Sequence, residues 1–307
     1  MTSLETRDLL GLEGACPDTI REILARARSL RTACRGDELA GRVVANLFFE
    51  DSTRTRCSFE VAATRLGAHV LNLGSRGSSA SKGESLVDTA RNIEAMGVDA
   101  LVVRTAASGG AALVADACTT PVINAGDGRH EHPTQALLDA FVLEERLGGL
   151  QGRRVAIVGD ILNSRVARSN VHGLIALGAH VTLVGPPALL DGSFRGLVPE
   201  AVADQLAIAH DIDSVLEEAD AVMMLRIQRE RASSDLIATD YRRLYGMTAE
   251  RAARLSGDQV LLHPGPVNRG VEMDGVVLDS NPHVVVLEQV AAGTWVRAAV
   301  LLRAIGV

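Results

Sequence analysis

Apolar residues fall along this chain in two alternating rhythms: short dense runs, and longer stretches with apolar positions three and four apart. Residues 17–33 place Ile20, Ile23, Leu24, Ala27 and Leu30 on one face, which predicts an amphipathic helix with Pro17 near its start. A dense run from Val43 to Phe49 predicts a buried strand. It stops at Glu50 and Asp51, and helical spacing resumes through Phe59, Ala62, Ala63 and Leu66. His69 to Leu73 reads as the next strand, about Glu84 to Met96 as a helix, and Asp99 to Arg104 and Pro121 to Asn124 as further strands. Leu137, Leu138 and Phe141 mark the inner face of another helix. After a Gly-rich break at 148–152 the alternation restarts at Val155, continues in a helix from near Ser164, and returns to strands at Val181–Val184, Ala221–Leu225 and Val260–Leu262. A long apolar-striped helix, Val284 to Ile305, closes the chain.

Strands that alternate with helices predict parallel sheets wrapped by helices on both faces. The expected fold class is therefore α/β, with two doubly wound parallel-sheet domains joined by helices. The first domain is expected over 1–147, with the helix at about 284–307 packing back on it, and the second over 148–283. A length of 307 residues agrees with two domains. A composition of 47% hydrophobic and 22% charged residues is that of a globular protein. The formal charge of −7 argues against bulk nucleic-acid binding and leaves room for a locally positive pocket. No apolar run reaches the roughly 20 residues that span a bilayer. The opening MTSLETRDLLGLEG lacks the basic-then-apolar pattern of a secretory signal, and Cys16, Cys34, Cys57 and Cys118 are scattered. A reduced, cytoplasmic enzyme is expected.

Candidate chemistry begins where the first strand stops. Ser52, Thr53, Arg54, Thr55 and Arg56 supply three hydroxyls and two guanidinium groups at the start of a helix. Unbonded N–H groups, the positive end of the helix dipole and planar Arg forks there suit phosphate oxygens. A plain capped helix also uses Ser and Thr, but five consecutive donors after a buried strand favour a phosphate cradle. It is not a Walker A loop, because the G-x-x-x-x-G-K-S/T spacing is absent. Gly74 to Lys82 is a Gly/Ser-rich loop that composition alone reads as solvated. Arg104 stands at the carboxyl end of a strand, the edge where parallel sheets bind ligands. His132 and Gln135 lie one helical turn apart and can address one ligand. His130 and His132 have no third partner at a metal-binding spacing. Val155–Asp160 (VAIVGD) opens like a dinucleotide-binding unit, yet Ile161, Leu162 and Asn163 fill the positions that G-x-G-x-x-G requires. Arg165 and Arg168 instead sit on the first helical turn, placed for an anion. Arg226-Ile227-Gln228 and the loop from His263 to Gly270 end two later strands, and the prolines and glycines of that loop leave its carbonyls available to a ligand.

Taken in order, S-T-R-T-R, G-S-S-A-S-K, V-V-R-T, H-P-T-Q, G-D-x-x-x-S-R, R-x-Q and H-P-G-P resemble the aspartate/ornithine carbamoyltransferase family from about Arg42 to Arg297. Within it, the ornithine enzymes usually carry H-C-L-P in place of His263-Pro264-Gly265-Pro266 and S-M-G in place of Arg226-Ile227-Gln228. A second carboxylate wants a guanidinium, which an ornithine side chain would meet as a like charge, so the resemblance implies aspartate as acceptor. It further implies that Ser52, Thr53, Arg54, Thr55 and Arg104 hold the phosphate of carbamoyl phosphate. Thr55, Arg104 and His132 would polarise the carbonyl, and Gln135 with the backbone of Pro264 and Gly265 would orient the amide. Ser78 and Lys82 match residues that reach a neighbouring subunit's site, which implies a homotrimer with shared active sites. Arg165 would take the α-carboxylate of aspartate, and Arg226, Gln228 and Lys82 the β-carboxylate. Closure of the two domains would exclude water. The resemblance implies a reaction that needs no metal and no organic cofactor. The resemblance fits a trimer that stands alone, pairs with regulatory chains or docks a dihydroorotase. Ser81 stands where some relatives have a second lysine, and Gly265 where some have leucine. A non-catalytic scaffold is the rival reading, and every expected site residue is present against it.

Overall fold

The computed structural model describes residues 7–74, 84–227 and 236–307. Ser78, Lys82 and Gln228 lie outside these described residues. The chain divides into two compact units, Met1–Leu138 with Val290–Val307, and Asp139–Gln289.

In the first unit, α1 (Pro17–Ala33) buries Ile20, Ile23, Leu24, Ala27 and Leu30, the face its spacing predicts. Four strands, β1 (Val43–Phe48), β2 (His69–Gly74), β3 (Ala100–Thr105) and β4 (Val122–Asp127), form a parallel sheet in the order β2-β1-β3-β4. Between them run α2 (Thr53–Arg65), α3 (Leu86–Glu94) and α4 (Gly110–Ala117). Ala45, Leu47, Leu101 and Val103 of the sheet pack with Ala90, Ile93 and Val114 of the helices. After β1 the chain adds β2 on one side, and after β3 it adds β4 on the other. The order therefore reverses between β1 and β3, and the crevice outside their carboxyl ends is the favoured ligand position of such sheets.

The second unit repeats the device with β5 (Arg154–Val158), β6 (His180–Val184), β7 (Leu206–Ala209), β8 (Ala221–Met224) and β9 (Val260–Leu262). All are parallel in the order β7-β6-β5-β8-β9. Here the order reverses between β5 and β8. The helices are α6 (Arg165–Ala176), α7 (Leu236–Tyr245), α8 (Ala249–Ala252) and α9 (Gly275–Ser280). Strand β7 has no counterpart in the sequence reading. Two 3-10 turns, Gly192–Leu197 and Glu200–Gln205, precede it where a crossover helix would have signalled the next strand.

The division between units falls inside α5 (Pro133–Leu147) and α10 (Val286–Ile305), so two continuous helices join the sheet domains. The later turns of α10 pack on the first unit as expected. Arg297 lies over the Phe59 ring at 5.3 Å, Arg65 over Trp295 at 4.5 Å, and Arg65 Nη1 donates to Thr294 Oγ1 at 2.9 Å.

Candidate active site

The first switch point carries the cradle. Ser52 is the N-cap of α2, extended at φ −158° and ψ 101°, and its hydroxyl makes no capping bond. The first-turn N–H groups of α2 thus open outward beside that hydroxyl, because no preceding turn supplies carbonyls for them. Thr55 is buried on the inner side of this turn, while Thr53 and Arg54 are exposed. In the register of β1 and β3, Arg104 lies opposite Phe48, which sets it next to the cradle. Its side chain is only 13% exposed. Its Nη1 donates to the Ala125 carbonyl at 3.1 Å, and its Nε lies 3.6 Å from Glu50 Oε2. Glu50, which the sequence marks only as the point where the first apolar run stops, is thus the acid beside Arg104.

His132 and Gln135, 5% and 8% exposed, follow β4 at the start of α5. The Gln135 N–H donates to the His132 carbonyl at 3.0 Å, which holds both in the first turn. The approach to them is shaped by Asp127. Its Oδ2 accepts from Gly109 N at 2.7 Å, and its Oδ1 from Asn124 Nδ2 at 2.9 Å and Glu131 N at 3.0 Å. Gly128 takes φ +48°, and a Cβ there would stand 2.6 Å from the Ser108 backbone nitrogen, so this turn admits only glycine.

His130 Nδ1 lies 3.0 Å from Asp127 Oδ2. Burial by itself raises the Asp127 carboxyl. Hydrogen bonds from His130, Asn124 and the Glu131 backbone outweigh that and hold it below its ordinary value. The hydrogen bond to Asp127 lifts His130 above its own ordinary value. The Asp127 contribution to stability is present above its unfolded value and is lost as pH falls through the lowered folded one. The His130 contribution is present below about 6.5 and is lost as pH rises through the raised folded value. The pair therefore stabilises most in the mildly acidic range. Its strength is about 1 kcal/mol or less, because the His130 side chain is 43% exposed. His130→Ala is expected to lower the urea midpoint at pH 5.5 and to lower it less at pH 8.5. An equal loss at both pH values would reject the pairing.

At the second switch point, the loop after β5 leads to Arg165, the first residue of α6. Asn163 Nδ2 donates to both Asp160 oxygens, at 2.9 and 3.0 Å, and the N-cap Ser164 Oγ accepts from Ala167 N at 3.1 Å. Both contacts are buried and set the direction in which α6 begins. Arg168, which the sequence also places on the first turn of this helix, stacks over the Phe194 ring at 5.2 Å. Arg226 stands two residues past β8, half-buried, and Pro264 and Gly265 begin the loop after β9. Gly265 takes φ +66°, a left-handed conformation that favours glycine. The described pieces of the predicted site thus lie at carboxyl ends of strands. Ser52, Thr53, Arg54, Thr55, Arg104, His132 and Gln135 are in the first unit. Arg165, Arg226, Pro264 and Gly265 are in the second.

Two family models match the chain. Residues 7–145 match the carbamoyl-P binding domain of aspartate/ornithine carbamoyltransferase, and residues 151–304 match its Asp/Orn binding domain. This chain belongs to the aspartate/ornithine carbamoyltransferase family. Among its carbamoyltransferase relatives, the aspartate carbamoyltransferase catalytic subunit of Myxococcus xanthus is 52% identical over 96% of this chain and 98% of its own length. That of Salinispora tropica is 50% identical over 98% of each. Ornithine carbamoyltransferase from Pyrococcus furiosus superposes with a TM-score of 0.88 at 29% identity, over 100% of this chain and 99% of that one. Aspartate transcarbamoylase from Trypanosoma cruzi, in complex with N-(phosphonacetyl)-L-aspartic acid, superposes at 0.87 with 28% identity, over 98% and 96%. Backbone shape is thus shared equally by both kinds of carbamoyltransferase. Backbone shape therefore does not tell one acceptor from the other. No helix among the described residues is long and apolar enough to cross a membrane.

Proposed function

We propose that this chain transfers the carbamoyl group of carbamoyl phosphate to the α-amine of L-aspartate, giving N-carbamoyl-L-aspartate and phosphate, an early step of de novo pyrimidine synthesis. The observation that carries the reading is the cradle at the first switch point, an uncapped helix N-terminus with hydroxyls and a nearly buried Arg104 beside it. Ser52, Thr53, Arg54, Thr55 and Arg104 hold the phosphate. The neutral amine attacks the carbamoyl carbon, and negative charge grows on the carbonyl oxygen, where Thr55, Arg104 and His132 donate. Gln135 and the carbonyls of Pro264 and Gly265 orient the amide. The tetrahedral intermediate collapses by breaking the bond to the bridging oxygen, and the departing phosphate takes the proton that the amine loses. Fixed donors of this kind act without reorganisation at the moment of reaction. Arg165 receives the α-carboxylate of aspartate, and Arg226, with Gln228 and Lys82, the β-carboxylate.

The preference for aspartate over ornithine rests on Arg226 and on the names of the relatives that share half of this sequence. Carbamoyl phosphate offered with aspartate and ornithine in parallel, with colorimetric detection of the ureido product, tests it. Product with aspartate alone supports the proposal. Product with ornithine alone would mean that Arg226 does not select the acceptor, and no product with either would favour a scaffold.

The same reading makes the working unit a cytoplasmic homotrimer in which Ser78 and Lys82 serve a neighbour's site. In its support, β2 is an edge strand that leads into their segment and leaves Leu71 39% exposed, and the adjoining α2 leaves Val61 40% exposed. Mixing a Lys82→Ala chain with an Arg54→Ala chain is expected to restore activity, since some sites of the hybrid trimers contain neither lesion. Proven subunit exchange without recovery would reject the shared site.

A further inference from the structure

A run of contacts among buried polar side chains, hydrogen bonds at every step but the one between His263 and Glu272, links the three segments of the second unit that carry predicted site residues. It starts on α6 beside Arg165, where Asn170 Nδ2 donates to the Val166 carbonyl at 3.0 Å and to Asp139 Oδ2 at 2.9 Å. Asp139 Oδ1 accepts from Gln289 Nε2 at 2.7 Å, and Gln289 Oε1 accepts from the His263 N–H at 3.0 Å. His263 Nδ1 in turn accepts from the Gly265 N–H at 2.8 Å, which folds the 263–268 loop back onto the ring. A nitrogen that accepts carries no proton, so the neutral ring bears its hydrogen on Nε2. That atom lies 3.4 Å from Glu272 Oε1 in an electrostatic contact that does not close a hydrogen bond, and Glu272 Oε1 accepts from Asn268 N at 2.7 Å. Asn268 Nδ2 closes the run on the Ile227 carbonyl at 3.4 Å, beside Arg226. Asp139, Asn170, His263, Glu272 and Gln289 are all at least 97% buried.

Burying two carboxylates is costly, and apolar side chains of similar volume would serve packing as well or better. A run that ends on the neighbours of Arg165 and Arg226, and folds Gly265 in its middle, has another use. We infer that Glu272 and His263, tied to Asp139 through Gln289, are positioning residues that set the spacing between Arg165, the Pro264–Gly265 backbone and Arg226. The inference rests on the aspartate carbamoylation proposed above. Neither residue touches substrate. Each acts through the loop it holds.

The test compares the parent with Glu272→Ala, Glu272→Gln and Leu255→Ala, the last a packing lesion in the apolar core of the same unit that lies outside the run. Glu272→Ala is expected to raise the aspartate KM at least tenfold and to lower kcat, with affinity for inorganic phosphate held within twofold. Glu272→Gln keeps an acceptor oxygen for Asn268 and a polar neighbour for His263, and is expected to stay within threefold of the parent. Leu255→Ala is expected to lose stability with an unchanged KM. If Glu272→Ala also loses only stability, with the parental KM, the residue is structural and the inference falls. Should Glu272→Ala fail to fold, Gln289→Ala cuts the run without removing a charge and is judged by the same numbers. If the parent itself makes no carbamoyl aspartate, the functional reading fails separately. Amide exchange then decides: at least tenfold faster exchange at Gly265 and Asn268 in Glu272→Ala, at matched global stability, supports the run, and parental rates at both overturn it.

Discussion

Arg54→Ala is expected to lower kcat by about 10²–10³ at saturating substrates, the range found when one fixed donor to a developing charge is removed. Arg54 is exposed in the first turn of α2, so its loss leaves the core of the unit intact. Stability should change by no more than about 0.5 kcal/mol, as at other exposed positions. The effect falls on kcat more than on the carbamoyl phosphate KM because the phosphate gains negative charge only as its bond to carbon breaks. An interaction that strengthens along that path acts on the transition state. Arg54→Lys should recover part of the rate, since a point charge replaces a planar fork. Steady-state kinetics beside a thermal melt check the claim. A kcat within threefold of the parent in folded Arg54→Ala would remove the cradle from the mechanism.

Arg226→Ala should act on the other substrate. Losing one partner of a desolvated charge pair costs about 2–5 kcal/mol, which is roughly 30-fold to several thousand-fold in kcat/KM for aspartate. The carbamoyl phosphate KM is expected to stay close to the parental value. The discriminating measurement is asparagine, which keeps the shape of aspartate and lacks the second charge. The parent should prefer aspartate strongly, and Arg226→Ala should narrow that preference by the same factor that it loses on aspartate. Aspartate kinetics unchanged by the substitution would detach Arg226 from acceptor recognition.

Much of the candidate site was legible because its chemistry is local. Donors packed into Ser52–Arg56 announce an anion site without any fold, and His132 with Gln135 announces a shared target by its three-residue spacing. The dense runs and the α1 face were legible for the same reason, since a strand or a helix face is written in neighbours two to four positions apart. Strand β7 was not legible, because the turns before it carry no helical period. The Phe194 ring beside Arg168 was not legible either, because the sequence shows the place of Arg168 on α6 and not the residue that meets it.

The sequence by itself determined the class of fold, the order of the elements apart from β7, and a candidate anion site at the start of α2. Only the tertiary structure decided which strands lie side by side, and so that Arg104 stands beside Phe48 and the cradle. It also decided that Asp139 meets Gln289, 150 positions away, in a run that reaches Glu272 and the loop at Gly265. The physical reason is range. Backbone periodicity and helix ends obey local sterics, whereas the partner of a buried polar group is chosen by strand order and by the need to satisfy every donor and acceptor removed from water.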